Sequence, residues 1–220
     1  MTLSRSILDR EFAQNRDDML RLGYLVDTAI ERAMQALDEN DTDLARQVIN
    51  ADAAINQLRF DIEEACLRLI ATQQPAAGAL RAVMAAVSIA TDIERMADHA
   101  TGIAKTVLRM GPAAPPRPPA DLTPMATAAR RMFRASLDAY VARDAELARR
   151  VAAEDDEVDH LYKALFDNLI QQMARDPALI TACTYRLWCG HNLERIGDRV
   201  TNIAERIIFM TTGTLSELNF

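Results

Sequence analysis

Two short segments of this chain, Glu94-Arg95-Met96-Ala97-Asp98 and Glu194-Arg195-Ile196-Gly197-Asp198, each set two carboxylates four residues apart. On a helix, positions i and i+4 share a face, so each segment would place two acids side by side. Like charges at that spacing cost a helix about 0.2–0.5 kcal/mol per pair. The same cost met twice points to a compensating cation or a basic partner. A second acidic pair, Asp155 and Asp159, precedes the later segment, and Asp52 and Asn56 hold the corresponding places before the earlier one. In an antiparallel bundle these upstream pairs can lie opposite the E-x-x-x-D face, so that four side-chain oxygen donors converge. All-oxygen sets select hard cations such as magnesium, calcium, manganese or ferric iron over thiolate-seeking metals. The plainer alternative is a solvated acidic face, with the arginines of the motif forming surface ion pairs of little worth.

The remaining reactive residue types carry less. His191 lies three residues before Glu194 and shares its face, whereas His99 and His160 have no evident partner. The run Glu154-Asp155-Asp156-Glu157 reads as a solvated face apart from Asp155. Three cysteines, Cys66, Cys183 and Cys189, offer neither an even framework nor a C-x-x-C, and Cys66 falls in an apolar helical pattern as a buried free thiol. No Gly-rich phosphate loop, G-x-S-x-G elbow or zinc spacing is present, so the chain is expected not to be an enzyme.

The elements that must position the acids follow from a repeat. Asp41 to Ala71 aligns without gaps on Asp144 to Ala174, and Asp92 to Ala104 aligns on Asn192 to Ala204. Each copy reads as three long helices, giving an all-α fold made of a tandem repeat of two antiparallel three-helix bundles. The second helix of the first copy carries a stripe of Leu44, Val48, Ala51, Ile55, Leu58, Ile62, Ala65 and Leu69, and the third carries Ile89, Ile93, Met96, Ala100, Ile103 and Val107. Spacings of four and three residues make a bundle seam. The first helix is expected from about Ser4 to Glu39, and its counterpart from Asp121 or Thr123 to Arg143. Six of the eight prolines fall between Pro112 and Pro124, a stiff extended linker. The expected domains are therefore 1–110, a linker over 111–121, and 122–220. Pro75 and Pro177 suit the first turn of a helix.

Composition narrows the partners. The 220 residues are half apolar, with 25 basic and 32 acidic side chains interleaved and a net charge of −7. Nucleic acid and bare anionic membranes need clustered basic surfaces, so neither is an expected partner. The N-terminus lacks the apolar core of a signal peptide, and the longest charge-free run, Leu69 to Leu80, contains Pro75. A soluble, cytoplasmic protein is expected.

The ERIGD-type motif followed by Thr201-Asn202-Ile203-Ala204, the DLARQVI run from Asp43 to Ile49, and the turn from Ile62 to Pro75 together resemble the PhoU family over nearly the whole chain. The resemblance implies a regulatory adaptor that represses phosphate-starvation signalling and modulates phosphate uptake. Its implied partners are the ATPase subunit of the phosphate ABC transporter and the phosphate sensor histidine kinase, with a homodimer as the expected assembly. It implies a carboxylate-bound metal ion (iron, manganese, magnesium or zinc) at Asp155, Asp159, Glu194 and Asp198 in the second half and at Asp52, Glu94 and Asp98 in the first. Asn56 and Gly102 depart from the pattern. The competing readings are a ferritin-like di-metal carboxylate oxidase or iron store, for which the chain offers a single Glu-x-x-His spacing at Glu157 and His160, and a helical adaptor without metal.

Overall fold

The computed structural model describes residues 2–111, 120–214 and 218, with side chains from residue 7 onward. The chain folds as helices α1 (Thr2–Glu39), α2 (Thr42–Gln73), α3 (Gly78–Met110), α4 (Thr123–Ala142), α5 (Ala145–Ala153), α6 (Asp155–Arg175) and α7 (Ile180–Thr212), with a short 3₁₀ turn at Pro177–Leu179. No strand occurs among the described residues. The linker expected over 111–121 lies mostly outside them, and the described chain resumes at Ala120.

The repeat is visible in the turns. Asn40 and Arg143 both adopt left-handed backbone conformations, with φ of 53° and 52°. The next residue in each case, Asp41 or Asp144, caps the following helix. Asp41 Oδ1 accepts from the Asp43 and Leu44 amides at 2.9 Å, and Asp144 Oδ1 accepts from those of Glu146 and Leu147 at the same distance. These bonds satisfy amide donors that a helix N-terminus leaves open. The amides of Asp41 and Asp144 reach back to the Ala36 and Ala139 carbonyls at 2.9 and 3.0 Å, closing the preceding helix in a Schellman-type bond.

Helices α1, α2 and α3 form one bundle, and α4, α5–α6 and α7 form the other. The apolar face of α3 is buried along its whole length, including Ile89, Ile93, Met96, Ala100, Ile103 and Val107. On α2 the seam holds at Val48, Ile55, Leu58, Ile62 and Leu69, but Ala51 is exposed and Ala45 and Cys66 are buried instead. The two bundles meet through equivalent helices, α3 against α7 and α1 against α4, and their apolar faces run into one another as a single core. The pairing is reciprocal. His99 Nδ1 lies 3.1 Å from Asn192 Oδ1, and the residues equivalent to these, Arg199 and Asp92, approach to 3.5 Å. A pseudo-twofold axis therefore passes through the α3–α7 crossing. Between α1 and α4, Arg130 grips Asp27 with two nitrogens at 2.8 and 3.1 Å, and Arg134 adds two more bonds at 2.7 and 3.1 Å.

Two local expectations change. The second helix of the second repeat is not continuous: it breaks at Glu154, whose amide bonds to the Val151 carbonyl at 3.1 Å in a tight turn. Asp155, Asp156 and Glu157 then occupy the first turn of α6. Three carboxylates repel one another in mid-helix but are favoured at the positive end of a new helix dipole. Arg131 of α4 clamps the break by donating to Glu154 at 3.1 Å and to Glu157 at 2.6 Å. The place corresponding to Glu154 in the first repeat is Ala51, and α2 runs through unbroken. Pro75 is not in the first turn of α3; it follows Gln74, the left-handed cap of α2 at φ 45°, where a proline helps stop a helix.

Candidate functional site

In the second repeat, α6 carries Asp155 and Asp159 against α7, which carries Glu194 and Asp198. Asp155 is buried, with 8% of its surface exposed. Its Oδ2 accepts a hydrogen bond from Thr201 Oγ1 at 3.1 Å, while its Oδ1 is enclosed and has no hydrogen-bond partner. Gly197 makes this approach possible, since a methyl group there would stand 2.7 Å from Asp155 Oδ1. Burial pushes the Asp155 carboxyl up to about 6; the Thr201 bond opposes this, and Asp159, Asp198 and Glu194 add to it. The Asp159 carboxyl is raised by burial and then by Asp198, and that of Glu194 likewise. The four acids therefore feel one another's charge. Asp155, Asp159 and Asp198 also line one open groove with Asp156, Arg149 and Leu218.

Two basic groups temper the cluster. Arg195 Nη1 donates to Asp198 Oδ2 at 2.8 Å, the ion pair suggested by the motif itself. His191 Nδ1 lies 3.3 Å from Glu194 Oε2, an oxygen that is enclosed and accepts no hydrogen bond.

The first repeat brings together the equivalent residues with one change. Thr101 Oγ1 donates to Asp52 Oδ1 at 3.4 Å, and Asn56 Nδ2 donates to Asp52 Oδ2 at 3.0 Å. Burial raises the Asp52 carboxyl and Asp98 raises it further. Glu94 is raised by burial and by Asp98, while Arg59 pulls it back.

Among the described residues, no group of three or more His, Cys, Asp or Glu side chains is gathered closely enough to hold a metal ion as it stands. The residues nevertheless fit a cation in kind. Two enclosed carboxylate oxygens, Asp155 Oδ1 and Glu194 Oε2, lack donors, and a buried acceptor without a partner carries a cost that a cation would relieve.

The hydroxyls of Thr101 and Thr201 were not among the residues singled out by spacing. Their signal was the alignment, since both repeats place threonine three residues after the motif aspartate. His99, which had no evident partner in sequence, has Asn192 across the α3–α7 crossing. The Glu157–His160 spacing is not turned toward this cluster: Glu157 is held by Arg131, and His160 Nδ1 lies 2.5 Å from the Asp156 carbonyl. The three cysteines are free and buried. No helix among the described residues is long and apolar enough to cross a membrane.

Known proteins share this architecture and sequence. The PhoU domain model matches residues 19–107 and 122–207. The phosphate-specific transport system accessory protein PhoU homolog of Clostridium acetobutylicum is 36% identical over 218 residues, covering 99% of this chain and 100% of that protein. The protein of the same description from Zymomonas mobilis is 38% identical over 205 residues, covering 93% and 86%. The crystal structure of the phosphate transport system regulatory protein PhoU from Streptococcus pneumoniae superposes with a TM-score of 0.87 at 34% identity, covering 95% of this chain and 99% of that one. PhoU from Pseudomonas aeruginosa superposes with a TM-score of 0.88 at 34% identity, covering 94% and 99%. With both bundles matched and relatives aligned end to end, this chain belongs to the PhoU family.

Proposed function

We propose that this protein is a metal-binding regulatory adaptor of phosphate transport. It represses phosphate-starvation signalling and tunes uptake by binding the ATPase subunit of the phosphate ABC transporter and the phosphate sensor histidine kinase. The regulatory half of this reading is supported by its relatives, which are accessory and regulatory proteins of phosphate transport. The metal half is carried by one observation, the enclosed and partnerless Asp155 Oδ1 set among three further acids. Asp155, Asp159, Glu194 and Asp198 would hold the cation in the second half, and the first half offers Asp52, Glu94 and Asp98. When bound, the ion supplies positive charge that lets α6 and α7 hold their carboxylates together. Thr201 fixes one oxygen of Asp155, and the other, which has no hydrogen-bond partner, would be available to a cation. Arg195 limits the approach of Asp198 by holding its Oδ2. The protein's work is then recognition, with energies set at interfaces.

Deleting the gene in phosphate-rich medium is expected to derepress a phosphate-starvation reporter. Re-expression of wild type restores repression, and Asp155→Asn/Asp198→Asn restores less. An unchanged reporter together with unchanged phosphate uptake in the deletion strain overturns the regulatory reading. Elemental analysis of the purified protein tests the metal reading separately.

A further inference from the structure

Away from the acidic clusters, the two bundles enclose a cavity of about 250 Å³ between them. Five helices wall it. Asn15, Cys66 and Val83 come from α1, α2 and α3, and Tyr140 and Met210 come from α4 and α7. The cavity is not part of the duplicated design. Counted from the equivalent turns at Asn40 and Arg143, α4 begins at the place of Leu20. The stretch of α1 from Asp9 to Arg16 therefore has no helical counterpart among the described residues, and that stretch closes the cavity. None of the carboxylates of the two clusters lines it.

Its surface changes character from floor to mouth. Leu69, Val83, Ala86 and Met210 present hydrocarbon. Two polar side chains more than nine-tenths buried face the same space, Asn15 at 7% exposure and Tyr140 at 8%. Asn15 is held in place by donating from Nδ2 to Cys66 Sγ at 3.2 Å. The Tyr140 hydroxyl has no hydrogen-bond partner among the described residues. Burial, and then Cys66, pushes it up to about 12, so it stays a neutral hydroxyl able to donate. Arg143 and Arg16 also line the cavity, and both charges reach Tyr140. Arg16 has a 3.8 Å contact with its exposed neighbour Asp17, of little worth at a wet surface. Arg143 forms no ion pair among the described residues. Asp9, the one acid on the wall, precedes Arg16 by two helical turns, about 10 Å along α1. Positive charge and a free hydroxyl thus gather at one end of a partly apolar chamber.

We propose that this cavity binds a small organic anion, a carboxylate carried on a short apolar tail. The guanidinium groups of Arg16 and Arg143 take the carboxylate, whose planar pair of oxygens they match. Tyr140 donates to it, and the tail lies against Val83, Ala86 and Met210. The volume is below the range of about 300–1,000 Å³ typical of pockets for drug-sized ligands, which selects a small metabolite over a nucleotide or a lipid. The occupant touches both bundles, and its site is independent of the metal-binding reading.

Isothermal titration of the full chain in chelator, with hexanoate and benzoate as probes, tests it. At least one acid is expected to bind saturably at a single site. Hexanol, benzyl alcohol and inorganic phosphate, which each lack the charge or the tail, are expected to bind about tenfold more weakly or less. Arg16→Gln/Arg143→Gln is expected to weaken the acid by about tenfold or more, the worth of a charge-assisted hydrogen bond, and Tyr140→Phe by about threefold or more. Asp9→Asn and Asp155→Asn/Asp198→Asn are expected to retain wild-type affinity, with circular dichroism showing every variant helical. The absence of saturable binding by either acid overturns the proposal. Equal affinity for an acid and its alcohol, or undiminished binding in Arg16→Gln/Arg143→Gln, also overturns it. So does a loss of binding in Asp155→Asn/Asp198→Asn, which would move the anion to the acidic cluster.

Discussion

Replacing Asp155 by asparagine in metal-free protein separates the charge of this carboxyl from its shape. Asn keeps an oxygen for Thr201 and removes the buried negative charge. In the folded protein the carboxyl is pushed up to about 6 from 3.8, first by burial and then by its acidic neighbours. A folded-state value above the unfolded one means that the folded chain binds more protons between those two values. The associated stability is fully present below about pH 4 and is lost as pH rises through about 6. A shift of some two units corresponds to about 3 kcal/mol as a ceiling. Relative to wild type, Asp155→Asn is therefore expected to gain up to ~3 kcal/mol between about pH 4 and pH 8. For a chain of this size that is a Tm difference of about 6–12 °C. Urea and thermal melts of both proteins in chelator, across this pH range, measure it. A difference between the two proteins that stays constant with pH refutes the argument, because an unperturbed carboxyl would contribute no such slope. Saturating manganese is expected to reverse the sign in wild type, since the ionised form then has a counter-charge.

Other perturbations probe the scaffold. Gly197→Ala drives a methyl group to 2.7 Å from Asp155 Oδ1 and 3.3 Å from Val158 Cγ1; a loss of about 1–3 kcal/mol is expected in urea melts, and wild-type stability would show that Asp155 is free to move away. Phe133 is fully buried in α4, and Phe133→Ala is expected to cost about 3–5 kcal/mol, so an unchanged urea midpoint would contradict the packing. Burial alone would raise the Asp27 carboxyl, but hydrogen bonds from Arg130 and Arg134 hold it below the usual carboxylate range. Its contribution is present above the unfolded value and lost as pH falls through the lower folded one. Arg130→Ala is expected to cost about 1–3 kcal/mol at neutral pH and to shrink that acid-labile part; equal acid sensitivity in both proteins would refute the role of the pair.

The bundles were legible because α3 repeats its apolar residues at bundle spacing over its full length and because the repeat aligns without gaps. What periodicity could not show was the break at Glu154, where clustered carboxylates and a distant clamp, Arg131, override the helix pattern. Ala51 followed the stripe in sequence yet faces solvent, since a small residue contributes little to deciding which way a helix turns. The acids were legible by spacing and repetition. Their partners were not, because Thr201 meets Asp155 from another helix, and the approach depends on the missing side chain at Gly197. Arg59 was hidden for a similar reason: in sequence it belongs with Glu63, and only the fold sets its charge beside Glu94.

The reciprocal crossing of α3 and α7 has a consequence for how the two halves are bound to stay together. At a true twofold interface the same residue types face each other from both sides, so a favourable unlike pair is constrained to appear twice. Here the halves have diverged: His99 meets Asn192 on one side of the axis, and Arg199 meets Asp92 on the other. Pairing two copies of the second half would set Arg199 opposite Asn192 and leave its guanidinium without a carboxylate. Pairing two first halves would set His99 opposite Asp92 and discard the amide that now meets it. Fusion in one chain has thus turned a self-complementary surface into a matched pair of unlike surfaces, freeing each half to specialise.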